Sequence, residues 1–208
     1  MVSNIPLKCE CGLLTGVVEG IVSDKRNRFT CLCDDCQAFA VWLGKAKRIL
    51  DEDGGTEILP VVPPKLKILT GFENLKCVKL SPKGMDRWYA GCCNTAIANT
   101  ANSKMPFAGL VHTIIYVEGQ ARQDLLGPLV ARIQGKFGKR PLREGTFEGT
   151  PLKVMMVMIR FMIPAFLKRQ NKPTPFYTDA GEPAVKPAVL KKEERESLRA
   201  QTGANLNF

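Results

Sequence analysis

The eight cysteines constrain this chain more than any other feature: they are clustered, and all stand before residue 94, leaving the last 115 residues with none. Cys9 and Cys11 form C-x-C, Cys31, Cys33 and Cys36 form C-x-C-x-x-C, Cys92 and Cys93 are adjacent, and Cys77 stands alone. Cysteines one or two residues apart are poorly placed to bridge each other as disulfides. Their thiolates can instead converge on one ion at about 2.3 Å from each sulfur. The pattern points to metal in a reducing compartment, the cytoplasm, rather than to disulfides. Compact C-x-C units followed by strand-like sequence favour zinc, although spacing alone leaves an iron–sulfur cluster open.

Eight cysteines divide as four, three and one. Four thiolates make a closed tetrahedral structural site, and Cys9, Cys11, Cys92 and Cys93 supply them by joining the N-terminal knuckle to a strand end some eighty residues later. Cys31, Cys33 and Cys36 then hold a second zinc whose fourth position is open to water or substrate. The alternative is a second structural zinc closed by Cys77 or by His112, the one histidine. Read by themselves, both have plainer roles: Cys77 alternates with Val78 and Leu80 as a buried thiol, and His112 in LVHTIIYV is a strand residue with a hydrogen-bonded ring. Asp34 and Asp35 read as cap and turn residues, and Trp42, Trp88 and Tyr89 as core.

At 208 residues and 45% hydrophobic, the chain can bury one core with an appendage. Short apolar runs at 13–21, 57–62, 66–70, 77–80, 87–90 and 111–117, separated by Gly54-Gly55, Pro63-Pro64 and the polar stretch 99–106, predict a mainly β domain over residues 1–118. One helix is expected in it, from Asp35 to Leu43, with Ala38, Phe39 and Trp42 turned inward. Residues 119–170 read as a helical extension. In it Leu125, Leu126, Leu129, Val130, Ile133 and Phe137 recur at three- and four-residue steps. A second helix starts at Thr150 as N-cap with Pro151 first in the helix, and should kink or end at Pro164. Residues 171–208, with Pro173, Pro175, Pro183 and Pro187 followed by KKEERESLRA, predict an extended tail and a short solvated helix.

KCECG at 8–12, CLCDDCQ at 31–37, the Gly-Gly-Thr strand at 54–56 and RWYAGCCNTAI at 87–97 together resemble the glutathione-dependent formaldehyde-activating enzyme family, whose domain is shared with centromere protein V. The resemblance covers about residues 5–117. It implies a zinc-stabilised β fold of the β-tent kind, with a structural zinc on the first and last clusters and a second zinc at the active site on Cys31, Cys33 and Cys36. The implied activity is carbon–sulfur lyase or synthase chemistry on the adduct of glutathione and formaldehyde, with glutathione or another small thiol as partner. The last cluster departs from the family's C-x-x-C-G-T: Ala90 replaces its first cysteine, Asn94 replaces its glycine, and Cys92 would supply the missing thiolate. The chain thus looks like a divergent branch, for which a non-catalytic, zinc-stabilised binding or scaffold protein is the alternative.

Lys plus Arg exceed Asp plus Glu by 30 to 20, a formal +10. Lys25, Arg26, Arg28, Lys45, Lys47 and Arg48 flank the second cluster in sequence and could contact the carboxylates of glutathione. Arg132, Lys136, Lys139, Arg140 and Arg143 form a basic stretch, but no recognition helix, aromatic-and-basic single-strand signature or C₂H₂ pattern accompanies it, which disfavours nucleic acid. The Met-rich helix reads as docked on the domain or as a homodimer interface, in preference to a membrane-surface anchor. No apolar stretch approaches the roughly 20 residues that cross a bilayer, and the first twenty residues lack a signal pattern, so secretion is not expected.

Overall fold

Short β segments separated by turn residues pair into two sheets in the computed structural model, which describes residues 2–22, 27–117 and 119–207. The smaller sheet is antiparallel, in the order β1 (Val2–Lys8), β2 (Thr15–Val22) and β5 (Leu66–Thr70). The larger contains β3 (Phe29–Cys31), β4 (Thr56–Val61), β6 (Leu75–Lys79), β7 (Asp86–Ala90), β8 (Thr95–Thr100), β9 (Ala108–Val111), β10 (Arg132–Ile133) and β11 (Ala188–Val189). Its order is β10-β3-β4-β9-β8-β7-β6-β11. The two outermost strands come from the C-terminal part and pair in parallel, Ile133 beside Cys31 and Ala188 beside Val78. Two-residue strands thus cover the edges that the antiparallel core would otherwise present to other chains.

Local chemistry explains how these strands tolerate their prolines. Pro60 lies in β4, but β3 pairs with β4 only at Thr56, Glu57 and Ile58, so the missing N–H of Pro60 falls beyond the end of β3. The apolar faces meet in a core that includes Ile5, Leu7, Val18, Leu59, Leu75, Trp88, Ile97 and Leu110. The fold is mainly β, with helices α1 (Asp34–Trp42), α2 (Ala46–Ile49), α3 (Gly119–Leu126), α4 (Leu152–Leu167) and α5 (Lys192–Arg199), the last two C-terminal. α1 falls within one residue of its expected place and buries Ala38 and Phe39, with Trp42 half-buried.

Three sequence expectations are corrected. The helix expected to run on through Phe137 stops at Leu126, because Gly127 takes a left-handed φ of 69° and Pro128 disfavours helix in the residue before it. Beyond that break Ile133 lies in β10, so its apolar spacing serves a strand. The run 111–117 is a strand only to Val111; residues His112–Ile114 form a 3₁₀ turn. That turn carries the chain from one sheet to the other, where Ile115 bridges Leu7 and the Tyr116 N–H donates to the Pro6 carbonyl at 2.9 Å. In α4, Pro164 does not end the helix, which runs on to Leu167, and Pro151 rather than Thr150 is its N-cap residue.

Residues 171–208 run mostly without regular structure, yet they are packed into the fold. Phe176 is fully buried, stacked on Trp88 at 4.9 Å between ring centroids, and Tyr177 meets Trp88 edge-on at 5.9 Å. The Tyr177 hydroxyl donates to Asp86 Oδ2 at 2.6 Å and lies 2.7 Å from Thr100 Oγ1, which accepts from Trp88 Nε1 at 2.9 Å. Leu206 is buried against the α1 side of the core. The helix of the charged segment, α5, lies on α1 through ion pairs from Arg199 to Asp34 and Asp35 at 3.3 and 2.6 Å.

Candidate metal centres

The first cluster is assembled by two tight turns. After β1, the Cys9 N–H donates to the Leu14 carbonyl and the Gly12 N–H to the Cys9 carbonyl, both at 2.9 Å. Gly12 holds a left-handed φ of 81° that closes this knuckle. Between β7 and β8, Cys92 and Cys93 occupy the opposing turn, and Asn94 takes a φ of 56°. Asparagine is among the few side chains that enter the left-handed region at small cost. Thr95 links the turns: its Oγ1 accepts from the Glu10 N–H at 3.0 Å and sits 3.1 Å from Cys93 Sγ.

The four sulfurs converge. Cys9 Sγ is 3.6 Å from Cys11 Sγ and 3.8 Å from Cys92 Sγ, Cys11 to Cys92 is 3.3 Å, and Cys92 to Cys93 is 3.8 Å. Four thiolates placed tetrahedrally at about 2.3 Å from zinc would be about 3.8 Å apart, so the donor set fits that ion. Adjacency of Cys92 and Cys93 therefore does not prevent both from facing the same point. The Leu14 N–H donates to Cys9 Sγ at 3.2 Å, a contact that favours the thiolate. Burial raises the Cys9 and Cys92 thiols, whereas at Cys93 burial is outweighed by the Thr95 hydroxyl and nearby backbone N–H groups, which bring it down to about 6. A dication among them would favour release of the remaining protons.

Cys31 ends β3, Cys33 is the N-cap residue of α1, and Cys36 lies in its first turn, so strand end and helix start bring three sulfurs within 4.8 Å of one another. The Cys33 carbonyl accepts from the N–H groups of Cys36 and Gln37 at 3.0 and 3.2 Å. Buried Gln37 braces this turn, donating to the carbonyls of Leu32 and Phe137 at 2.6 and 2.9 Å and accepting from the Gly203 N–H at 2.7 Å. Contacts from Cys31 and Cys33 hold the Cys36 thiol well below its ordinary value, against burial and with help from Arg87. Cys31 is pushed up by its contacts with Cys33 and Cys36 and by burial.

Arg87 is the site residue the sequence reading missed. It is buried, and its Nη1 lies 3.9 Å from Cys36 Sγ and donates to Asn99 Oδ1 at 3.2 Å, while Nη2 is 3.9 Å from Asp35. The available signal was an arginine inside the strand RWYA, where alternation sets it on the opposite face from the core residue Trp88. Asp34 and Asp35 act at the start of α1 and hold Arg199. Neither His112 nor Cys77 joins either cluster among the described residues. His112 Nε2 lies 3.0 Å from the Ile49 carbonyl, and burial lowers its pKa. Cys77 is buried beside Asp86 at 3.8 Å, its thiol pushed up to about 12 first by that burial.

Of the flanking cations among the described residues, three are engaged by acids. Lys25 and Arg26 lie outside the described residues; Arg28 pairs with Glu57 at 3.1 Å, Lys45 and Arg48 pair with Glu10 at 2.6 and 3.6 Å, and Lys47 is exposed. The basic stretch is largely matched by acids: Arg132 bridges Asp51 and Asp53 at 2.7 Å each, Arg143 reaches Glu52 and Asp53, and Arg140 pairs with Glu148. Lys139 donates to the Leu206 carbonyl, and Lys136 sits over the Phe137 ring.

The fold and these clusters define a mainly β protein with two cysteine sites that could hold metal ions. The chain belongs to the family of unknown function DUF6151, whose sequence profile matches residues 1–187. No curated protein matches it. Among solved structures, the crystal structure of a Rhodobacter sphaeroides protein is similar with a TM-score of 0.40 and 16% identity, over 60% of this chain and 96% of that one.

Proposed function

We propose that the protein binds two zinc ions, a structural one on Cys9, Cys11, Cys92 and Cys93 and a second on Cys31, Cys33 and Cys36 that takes a small thiol as its fourth ligand. On this reading it is a carbon–sulfur lyase or synthase acting on adducts of glutathione with formaldehyde or another aldehyde, as the resemblance to the formaldehyde-activating family implies. The observation that carries it is the three-thiol cluster: no further His, Cys, Asp or Glu donor among the described residues joins these three. When bound, zinc would supply a Lewis-acid position that lowers the pKa of an incoming thiol and stabilises it as a leaving group.

The chain's own residues support such a site. Three thiolates exceed a dication by one negative charge, and Arg87 places the balancing positive charge 3.9 Å from Cys36 Sγ. Asn99 fixes that guanidinium from β8, and Arg199 ties the first turn of α1 through Asp34 and Asp35. A second reading, the non-catalytic scaffold, is favoured by the burial of both Cys36 and Arg87, which narrows the approach to the cluster.

Native mass spectrometry of the purified protein, with and without glutathione, separates the two. The enzyme reading expects two zinc ions and a glutathione adduct that a Cys33→Ser variant loses. Two zinc ions with no adduct would exclude thiol ligation and leave the scaffold.

A further inference from the structure

The helix α4 is packed on the protein by one side only. Val154 and Ala165 are its buried residues, with Val154 and Met158 against the small cluster that holds Ala131, Ile133, Phe29 and Cys31. The opposite side is also apolar. Leu152, Met156, Ile159, Ile163 and Phe166 recur at steps of four, three, four and three, so they share one face, and with Leu167 they are between 43% and 80% exposed. The helix is thus docked on the domain by one face, and its outward face stays exposed among the described residues.

Charge decides what fits it. From Gly149 to Thr178 there are five cations, Lys153, Arg160, Lys168, Arg169 and Lys172, and no acid. All five are exposed, and none forms an ion pair among the described residues; Lys153 sits 5.5 Å over the Phe147 ring and Lys172 donates to the Asp179 carbonyl. Pairing with a second copy about a two-fold axis at the helix midpoint, between Ile159 and Arg160, would set two Arg160 side chains near that axis. The stripe also spans only about two heptads, short of the three or four that sustain a coiled coil. An anionic bilayer complements both features, since an apolar face enters the acyl boundary while flanking cations meet the headgroups.

We infer that α4 is a membrane-surface anchor, lying in the plane of an anionic lipid bilayer with its Leu152-to-Leu167 stripe inserted. Sixteen residues span about 24 Å, and among the described residues no helix is long and apolar enough to cross a membrane, so the helix lies on the bilayer rather than through it. Because Val154 of α4 belongs to the small apolar cluster against which Phe29 and Cys31 also pack, the anchor would bring the second cysteine cluster toward the lipid surface. This inference does not depend on the proposed zinc chemistry.

Co-sedimentation of the full chain with phosphatidylcholine vesicles, with and without phosphatidylserine, tests it. The expected result is partitioning about tenfold or more stronger on the anionic vesicles, weakened in kind by raised salt. A double variant, Ile159→Asp with Ile163→Asp, should cut that partitioning by about tenfold or more with an unchanged melting temperature, because both side chains are exposed. Equal partitioning on the two vesicles, or undiminished binding of the variant, would overturn the inference. So would a stable dimer by light scattering that the same variant dissociates, since the stripe would then be the interface of a second copy.

Discussion

Replacing Phe176 by alanine should remove about 4 kcal/mol of stability, because truncating a buried Phe costs about 3 to 5 kcal/mol and this site is poorly able to collapse. Its ring is fully buried, nearly parallel to Trp88 at 25°, and Trp88 is held in turn by its bond to Thr100 and by the edge of Tyr177. The stacking adds about 0.5 to 1.5 kcal/mol within that total. Chemical denaturation followed by tryptophan fluorescence measures the loss, with the slope checked for a constant unfolded state. A loss below about 1 kcal/mol would refute the view that this segment is part of the core, because no fully buried aromatic is so cheap to delete.

The other expectations concern single sites. If the proposed zinc is bound, Cys92→Ser should lose one ion and several kcal/mol of stability, whereas Cys77→Ser should keep the metal count, since of these two cysteines only Cys92 belongs to a cluster; metal analysis beside thermal melting reads both. At Asn94, glycine should be tolerated within about 0.5 kcal/mol, and valine should cost about 1 to 2 kcal/mol or more, because φ is 56° there; denaturant midpoints decide it. Burial alone would raise the Asp51 carboxyl, but hydrogen bonds from Arg132 and Gly55 and the charge of Arg143 outweigh it and hold its pKa below the ordinary 3.8. A folded pKa below the unfolded one means that stability is present above about pH 4 and lost as pH falls through the folded value. Asp51→Asn should therefore flatten the acid limb of the stability profile while lowering stability at neutral pH.

The cysteine sites were legible because ligand spacing is local. C-x-C and C-x-C-x-x-C determine which sulfurs can share an ion, and the long-range partnership of Cys9 with Cys92 followed from counting donors. Arg87 was not legible, since an arginine in a strand carries no mark of what lies across from it, and its partner Cys36 comes from a helix packed on that sheet. The strand β8, TAIANT, was missed because it has a single β-branched apolar residue and gains its order from β7 and β9 on either side. The recurrence of Leu129, Val130, Ile133 and Phe137 fitted a helix, and Gly127-Pro128 overrode it. The proline-rich tail concealed Phe176 and Tyr177, whose burial depends on Trp88 some ninety residues earlier.

X-ray absorption at the zinc edge, on protein whose metal has been counted, addresses the two cysteine centres most directly. The expected result is two zinc ions per chain in an all-sulfur or sulfur-dominated environment at about 2.3 Å, averaging about 3.5 protein sulfurs and rising toward four with glutathione. One zinc ion, or an average that glutathione leaves unchanged, would contradict an open three-thiolate site at Cys31, Cys33 and Cys36.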